Sequence, residues 1–330
     1  GVSQVKDMET MFQLLYTKWM YPRLDTAICR QTIEKTIENY RVKQKSPTEI
    51  FQEELMWILN GRNYTNTILS DSLITRYVKQ EDMLPLFNRF YGAGEDYTFV
   101  ILGDCTIEDI KPLITTYIGG LPKGKIDTDW RFKERIIPHK SCSLIHYTGD
   151  SPKASVSLTF QQDSLLGEFN SLTLKSNIMK AMLRTCLLNR LREEMGKVYS
   201  VSVASSAGLY PSFLSRTMIG FVCLPEDVDS LVNATQEELQ RLYEHPESFE
   251  NVLTDVKNNL LKDFELDKQK NSFWTSWIRN SIFNQQEDWK YLTDYPQTVN
   301  SITAKEISSF AKYLLGTAPM IKAVLYPKSK

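Results

Sequence analysis

A gap-free internal repeat constrains this chain more than any other feature. Residues 78–92, VKQEDMLPLFNRFYG, shift by 224 positions onto residues 302–316, ITAKEISSFAKYLLG. Met83 falls on Ile307, Leu86 on Phe310, Phe90 on Leu314 and Gly92 on Gly316. Apolar residues three to four apart, closed by a glycine, are the pattern of an amphipathic helix with a C-terminal stop. A short apolar run follows each copy: YTFVIL at 97–102 and MIKAVLY at 320–326. The same shift lays Pro22 on Pro246, each just after a helix-like run. Helix–glycine–strand is a common unit, but a register held from Pro22 to Gly92 points to two copies of one α+β domain.

The repeat sets the expected organisation. The second copy starts near Ser141, after the polar linker PKGKIDTDWRFKERIIPHK. Shifted back, the first copy would start roughly 80 residues before Gly1, so an N-terminally truncated first domain is expected. The division is residues 1–135, the end of one domain plus linker, and 136–330, a second complete domain.

Local patterns supply the elements. Val156, Leu158 and Phe160 alternate with Ser155, Ser157 and Thr159, which predicts a half-buried strand. Met179, Met182, Leu187, Leu191 and Met195 recur at helical spacing and predict one long helix over 167–195. MIGFVC at 218–223 reads as a buried strand, and 226–243 and 247–266 as helices. Thr106 and Asp109 have capping-box spacing, and Pro112 should kink the helix they start. Long helices between short, alternating strands predict an α+β fold. Each domain would be a largely antiparallel sheet with helices packed on one face.

Composition removes several function classes. The net charge of −1 gives no electrostatic footprint for nucleic acid or an anionic membrane. No apolar run reaches the ~18 residues that span a bilayer. The five cysteines, Cys29, Cys105, Cys142, Cys186 and Cys223, form no CxxC pair and read as buried free thiols. The histidines, His139, His146 and His245, are scattered. RLYEH at 241–245 approaches the HxxEH of an inverted zinc helix, but Arg241 stands where the first imidazole belongs. No GxSxG, P-loop or GxGxxG occurs, and no metal site is expected in this chain.

One junction carries candidate chemistry. In LLNRLREEMGKVYSVSV, residues 187–203, a helix-like run stops at Gly196 and a strand-like run follows. Arg190 and Arg192 can pair with Glu193 and Glu194 on a solvated helix face, and Tyr199 can share the buried face of Val201 and Val203. Alternatively, a helix end and the next strand's start share one edge of a domain, so Arg192 and Tyr199 can converge on a cleft. A guanidinium fork holds a peptide carbonyl or carboxylate, and a phenol donates to a developing oxyanion.

LREEMGKVYSVSV resembles the arginine/tyrosine segment of the pitrilysin and insulysin zinc metallopeptidases, the inverzincins. Arg192 and Tyr199 match its pair in type and seven-residue spacing. VKDMETMFQLLYTKWMYPRLD, YTFVILGDCTIEDIKPLITTYIGGLP and NSFWTSWI resemble the bacterial zinc-protease branch, so the resemblance covers essentially the whole chain. It implies the LuxS/MPP-like metallopeptidase fold in a clamshell of two halves, each of two homologous domains. This chain would hold the end of the third domain and the whole fourth. The resemblance also implies a peptide substrate, a zinc-bearing N-terminal half as partner, and zinc held there through HxxEH. Tyr199 would hydrogen-bond the scissile carbonyl or tetrahedral intermediate, and Arg192 would hold substrate backbone. The chain alone would be inactive, its parent a metalloendopeptidase, and its location periplasmic or envelope. Two rival readings stand beside this one. They are a non-catalytic peptide-binding or scaffold subunit of the same fold, and an unrelated α+β enzyme with a metal-free site.

Overall fold

The computed structural model describes residues 1–63, 65–124, 136–286 and 289–328. Residues 125–135 of the expected linker therefore lie outside the described residues. The helices of the first half are α1 (Met8–Met20), α2 (Thr26–Lys45), α3 (Pro47–Asn60), α4 (Asp71–Tyr77), α5 (Gln80–Tyr91) and α6 (Ile107–Leu113). The second half runs β1 (Cys142–Gly149), β2 (Ala154–Gln162), α7 (Phe169–Leu188), β3 (Val201–Gly208) and β4 (Leu214–Cys223). It continues with α8 (Val228–Glu244), α9 (Glu250–Asp267), α10 (Asn271–Phe283), α11 (Trp289–Thr293), α12 (Tyr295–Ser301), α13 (Ala304–Ala311) and β5 (Met320–Pro327).

The repeat extends well beyond the residues that revealed it. Shifted by 224, α1, α2, α3, α4 and α5 fall on α8, α9, α10, α12 and α13. α4 becomes 295–301, the span of α12, and Pro22 and Pro246 each follow a helix end. The chain nonetheless forms two compact units that trade a segment. One holds Gly1–Val42, Leu69–Arg131 and Lys268–Gln286; the other holds Lys43–Ile68, Phe132–Asp267 and Glu287–Lys330. Thus α3 of the first repeat belongs with the second repeat's sheet, and α10, its counterpart, belongs with the first repeat's helices.

In the larger unit, five strands form one sheet in the order β1-β5-β2-β4-β3. β1 and β5 are parallel and every other pair is antiparallel. Val156, Leu158 and Phe160 point to the face covered by α7, α8, α9 and α13. α7 buries Ile178, Met179, Met182, Leu183 and Leu187 there, as its spacing predicts. Burial of a side chain of this size is worth ~1.5–3 kcal/mol, so this layer is the main cohesion of the unit.

α3 covers the opposite face. Phe51, Leu55 and Leu59 pack on Ile321, Ala323 and Leu325, the alternate residues of β5. His146 of β1 meets Glu54 of α3 at 2.9 Å and packs edge-on against the Phe51 ring. Central β2 is therefore not half-buried as its polar alternation predicts. Thr159 and Gln161 are buried as well, because Thr159 lies beside Ile321 beneath α3.

Among the described residues, the first repeat's copy of the pattern joins no sheet. YTFVIL, expected as a strand, forms no ladder among the described residues. Its counterpart β5 lies between β1 and β2 and pairs its backbone with both. α5 likewise buries no residue, although Ile307, Phe310 and Leu314, the partners of Met83, Leu86 and Phe90, are core. The capping box at Thr106 and Asp109 is formed, and its hydrogen bonds hold the Asp109 carboxyl below the usual range. Past Pro112 the helix widens into a π turn over Ile114–Ile118.

All five cysteines are free thiols, and Cys142 is exposed rather than buried. Burial is the main cause that pushes the Cys186 thiol up to about 12 and Cys223 to about 11. Thiolate is the reacting form. Iodoacetamide at neutral pH should therefore modify Cys142 in the folded chain and spare Cys186 and Cys223 until denaturant is added. Peptide mass mapping checks this; early labelling of Cys186 would contradict the packing of α7.

Candidate functional site

The candidate site is built where α7 ends. After Leu188 the helix continues as a π turn over Asn189–Glu194, keeping Leu191 in the core and turning Arg192 outward. The N–H of Gly196 donates to Arg192 O at 3.0 Å and that of Lys197 to Leu191 O at 3.2 Å. This glycine closure is one residue wider than usual because the preceding turn is π. Gly196 has φ +67°, a left-handed conformation that disfavours a side chain.

The next residues fix Tyr199. Lys197 Nζ reaches Asp227 Oδ1 at 2.8 Å and Ser230 Oγ at 3.1 Å, at the start of α8. Val198 is buried, and so is Val201 at the start of β3. With both valines taken by the core, Tyr199 is directed to solvent and is 83 % exposed. The reading of Tyr199 as a core residue beside Val201 and Val203 is thereby overturned. The Arg192 guanidinium carbon stands 5.7 Å from the Tyr199 ring centroid, in cation–π range.

The helix-face ion pairs expected from the sequence are also present. Arg190 binds Glu194 at 2.7 Å and Glu237 at 3.6 Å; Arg192 Nε lies 3.5 Å from Glu193 Oε1. Arg190 is thus tied between two carboxylates. Arg192 holds one exposed carboxylate, and no further ion pair of its fork occurs among the described residues. Exposed pairs of this type contribute ~0–1 kcal/mol, so a ligand carboxylate or carbonyl can replace Glu193 at small cost. The structure brings Arg192 and Tyr199 together. The anchors Lys197, Asp227 and Val198 were missed, because neither their spacing nor their residue types mark a site.

No group of three or more metal-ligating side chains occurs among the described residues. At RLYEH, the Arg241 guanidinium is committed to Glu238 at 2.9 Å and to the Phe249 ring. His245 is the residue that ends α8, 3.3 Å from Glu247. His146 is occupied by Glu54. These residues do not fit a zinc site. Among the described residues, no helix is long and apolar enough to cross a membrane.

Known proteins resemble the chain along nearly all of its length. The family model described as the peptidase M16 inactive domain matches residues 77–272. The probable zinc protease PqqL of Escherichia coli is 21 % identical over 327 residues, 99 % of this chain and 34 % of that protein. The crystal structure of that periplasmic protease superposes with a TM-score of 0.81 at 20 % identity, over 99 % of this chain and 36 % of its own. The peptidase M16 inactive domain from Pseudomonas fluorescens gives 0.77 at 18 % identity, covering 100 % and 77 %. The chain spans about a third of the length of the curated relatives it matches. It belongs to the peptidase M16 inactive-domain family, and the resemblance to the pitrilysin group and its α+β fold are borne out.

The local account of the site predicts two effects. Gly196→Ala should cost about 1–2 kcal/mol, the penalty of a left-handed non-glycine residue, measured by urea unfolding. Lys197→Ala should leave global stability nearly unchanged while speeding amide exchange at Val198 and Tyr199. Unchanged exchange would show that Lys197 does not hold the loop.

Proposed function

We propose that this M16 inactive-domain chain is the substrate-closing, non-zinc part of a zinc metalloendopeptidase. Tyr199, largely exposed and beneath the Arg192 guanidinium, is the observation that carries the reading. Tyr199 at 83 % is more exposed than the other open tyrosines Tyr21, Tyr77 and Tyr147. Two neighbouring valines take the core positions and the phenol is left free to meet a ligand. Zinc-bound water would supply the nucleophile for peptide hydrolysis, held by another half of the parent protein.

In this reading the chain's own groups act on the peptide. The Tyr199 hydroxyl donates a hydrogen bond to the carbonyl oxygen as negative charge develops on it. Arg192, still stacked on the ring, exchanges Glu193 for a backbone carbonyl or terminal carboxylate and fixes the register of the peptide. Residues 1–135 would be the end of a third peptidase-like domain and 136–330 a fourth. The expected partner is a zinc-bearing N-terminal half. Two likenesses support that pairing: the chain spans only part of its relatives, and the first half of E. coli PqqL superposes with a TM-score of 0.72 at 13 % identity. The description of PqqL as a periplasmic protease supports a periplasmic location for this one.

In the intact enzyme, Tyr199→Phe should lower kcat by roughly 10²–10³, the usual loss of an oxyanion donor, with the fold unchanged. Arg192→Ala should mainly raise KM. Steady-state hydrolysis of a quenched fluorescent peptide measures both. Near-normal kcat in Tyr199→Phe would remove the catalytic reading and favour a peptide-binding or scaffold subunit.

A further inference from the structure

Charge around the candidate site is shared out pair by pair. The π turn over Asn189–Glu194 carries Arg190, Arg192, Glu193 and Glu194. The stretch of α8 beside it, residues 237–241, carries Glu237, Glu238 and Arg241. Three guanidiniums thus meet four carboxylates. Arg241 takes Glu238, the buried one, with Nε at 2.9 Å. Arg192 Nε lies 3.5 Å from Glu193. Arg190 spans two carboxylates: Nη1 donates to Glu194 at 2.7 Å, and Nη2 lies 3.6 Å from Glu237.

The side chains of Arg190, Glu194 and Glu237 are well exposed, and exposed pairs of this kind add little to folding. Their effect falls on the neighbour instead. Glu194 and Arg192 are two residues apart on one turn, within the ~10 Å over which charges are felt at ordinary salt. A carboxylate left there without a cation would draw on Arg192 and repel an anionic group brought to it. With Arg190 in place, Glu194 is neutralised and tied down, and Glu237 is held on the α8 side.

We propose that Arg190 is a positioning residue that sequesters Glu194 and Glu237 from Arg192, so that the Arg192 guanidinium is left to a carboxylate of the bound peptide. This rests on the peptidase reading above and adds what the site selects: a peptide that brings a negative group, from an acidic side chain or a free C-terminus, to Arg192. Arg190 does not touch that peptide; it acts through the charge around Arg192.

The test uses the intact enzyme and three quenched fluorescent peptides that differ only in charge. One is amidated and neutral, one has a free C-terminal carboxylate, and one is amidated with a single glutamate. Arg190→Met keeps the apolar stem and removes the charge. It should raise KM about 2–5-fold for a carboxylate-bearing peptide, the size of one exposed ion pair. The effect should fall on KM rather than kcat and be small for the neutral peptide. Whichever charged peptide responds identifies the carboxylate that Arg192 takes. Adding Glu194→Gln and Glu237→Gln to Arg190→Met should return KM to its original value, and ~1 M salt should erase the difference. An unchanged KM in Arg190→Met, an equal rise for all three peptides, or a rise that the glutamines do not relieve would overturn the proposal. If Arg190→Met does not fold, Glu194→Gln decides alone, since it keeps Arg190. KM for the charged peptide should then fall, and a KM that stays or rises overturns the proposal. If Arg192→Ala leaves KM unchanged for every peptide, the role of Arg192 in the peptidase reading and this inference fail together. If Arg192→Ala raises KM while Arg190→Met does not, only the role of Arg190 fails.

Discussion

Everything at the candidate site depends on the packing of α7 against the sheet. Ile178, Met179, Met182, Leu187 and Leu191 are fully excluded from water on the face made by Val156, Leu158 and Ile219. That contact runs through the π turn to Leu191, the last core residue before the chain reverses. Arg192 is aimed outward because Leu191 is aimed inward. Tyr199 is outward because Val198 and Val201 are not. The two groups proposed to act on peptide are thus positioned by their apolar neighbours, and Gly196 and Lys197 join the two halves of the arrangement.

The repeat explains why one sequence pattern has two outcomes. In the second copy, the sheet gives α13 an apolar face to cover, and Ile307, Phe310 and Leu314 are buried. In the first copy, α5 presents Leu86 and Phe90 to solvent. The difference lies in what is packed alongside, not in the helix. The traded segments carry the same lesson. α3 is chemically a partner of α10, yet it spends its apolar stripe on β5 and turns a polar-looking strand face into interior.

Local periodicity therefore made much of the fold legible: α7, α8, α9, β4, β5, the capping box at Thr106 and the repeat all follow from spacing. What could not be read depends on distant partners. Nothing in YTFVIL says that it will form no ladder among the described residues. Nothing in Thr159 or Gln161 says that α3 will cover them. At the site, residue type and seven-residue spacing brought out Arg192 and Tyr199. The choice between a core and an exposed tyrosine required knowing which neighbouring valines the core would take.

The central claim is that Tyr199 meets the reacting carbonyl of a bound peptide. The most direct measurement is a crystal structure of the intact enzyme with a non-hydrolysable, carbonyl-reduced peptide analogue. The account predicts the Tyr199 hydroxyl about 2.7–3.1 Å from the oxygen that stands for the oxyanion, with the Arg192 fork on the adjacent backbone. A peptide bound in the chamber with Tyr199 turned to solvent, beyond hydrogen-bond reach, would contradict it.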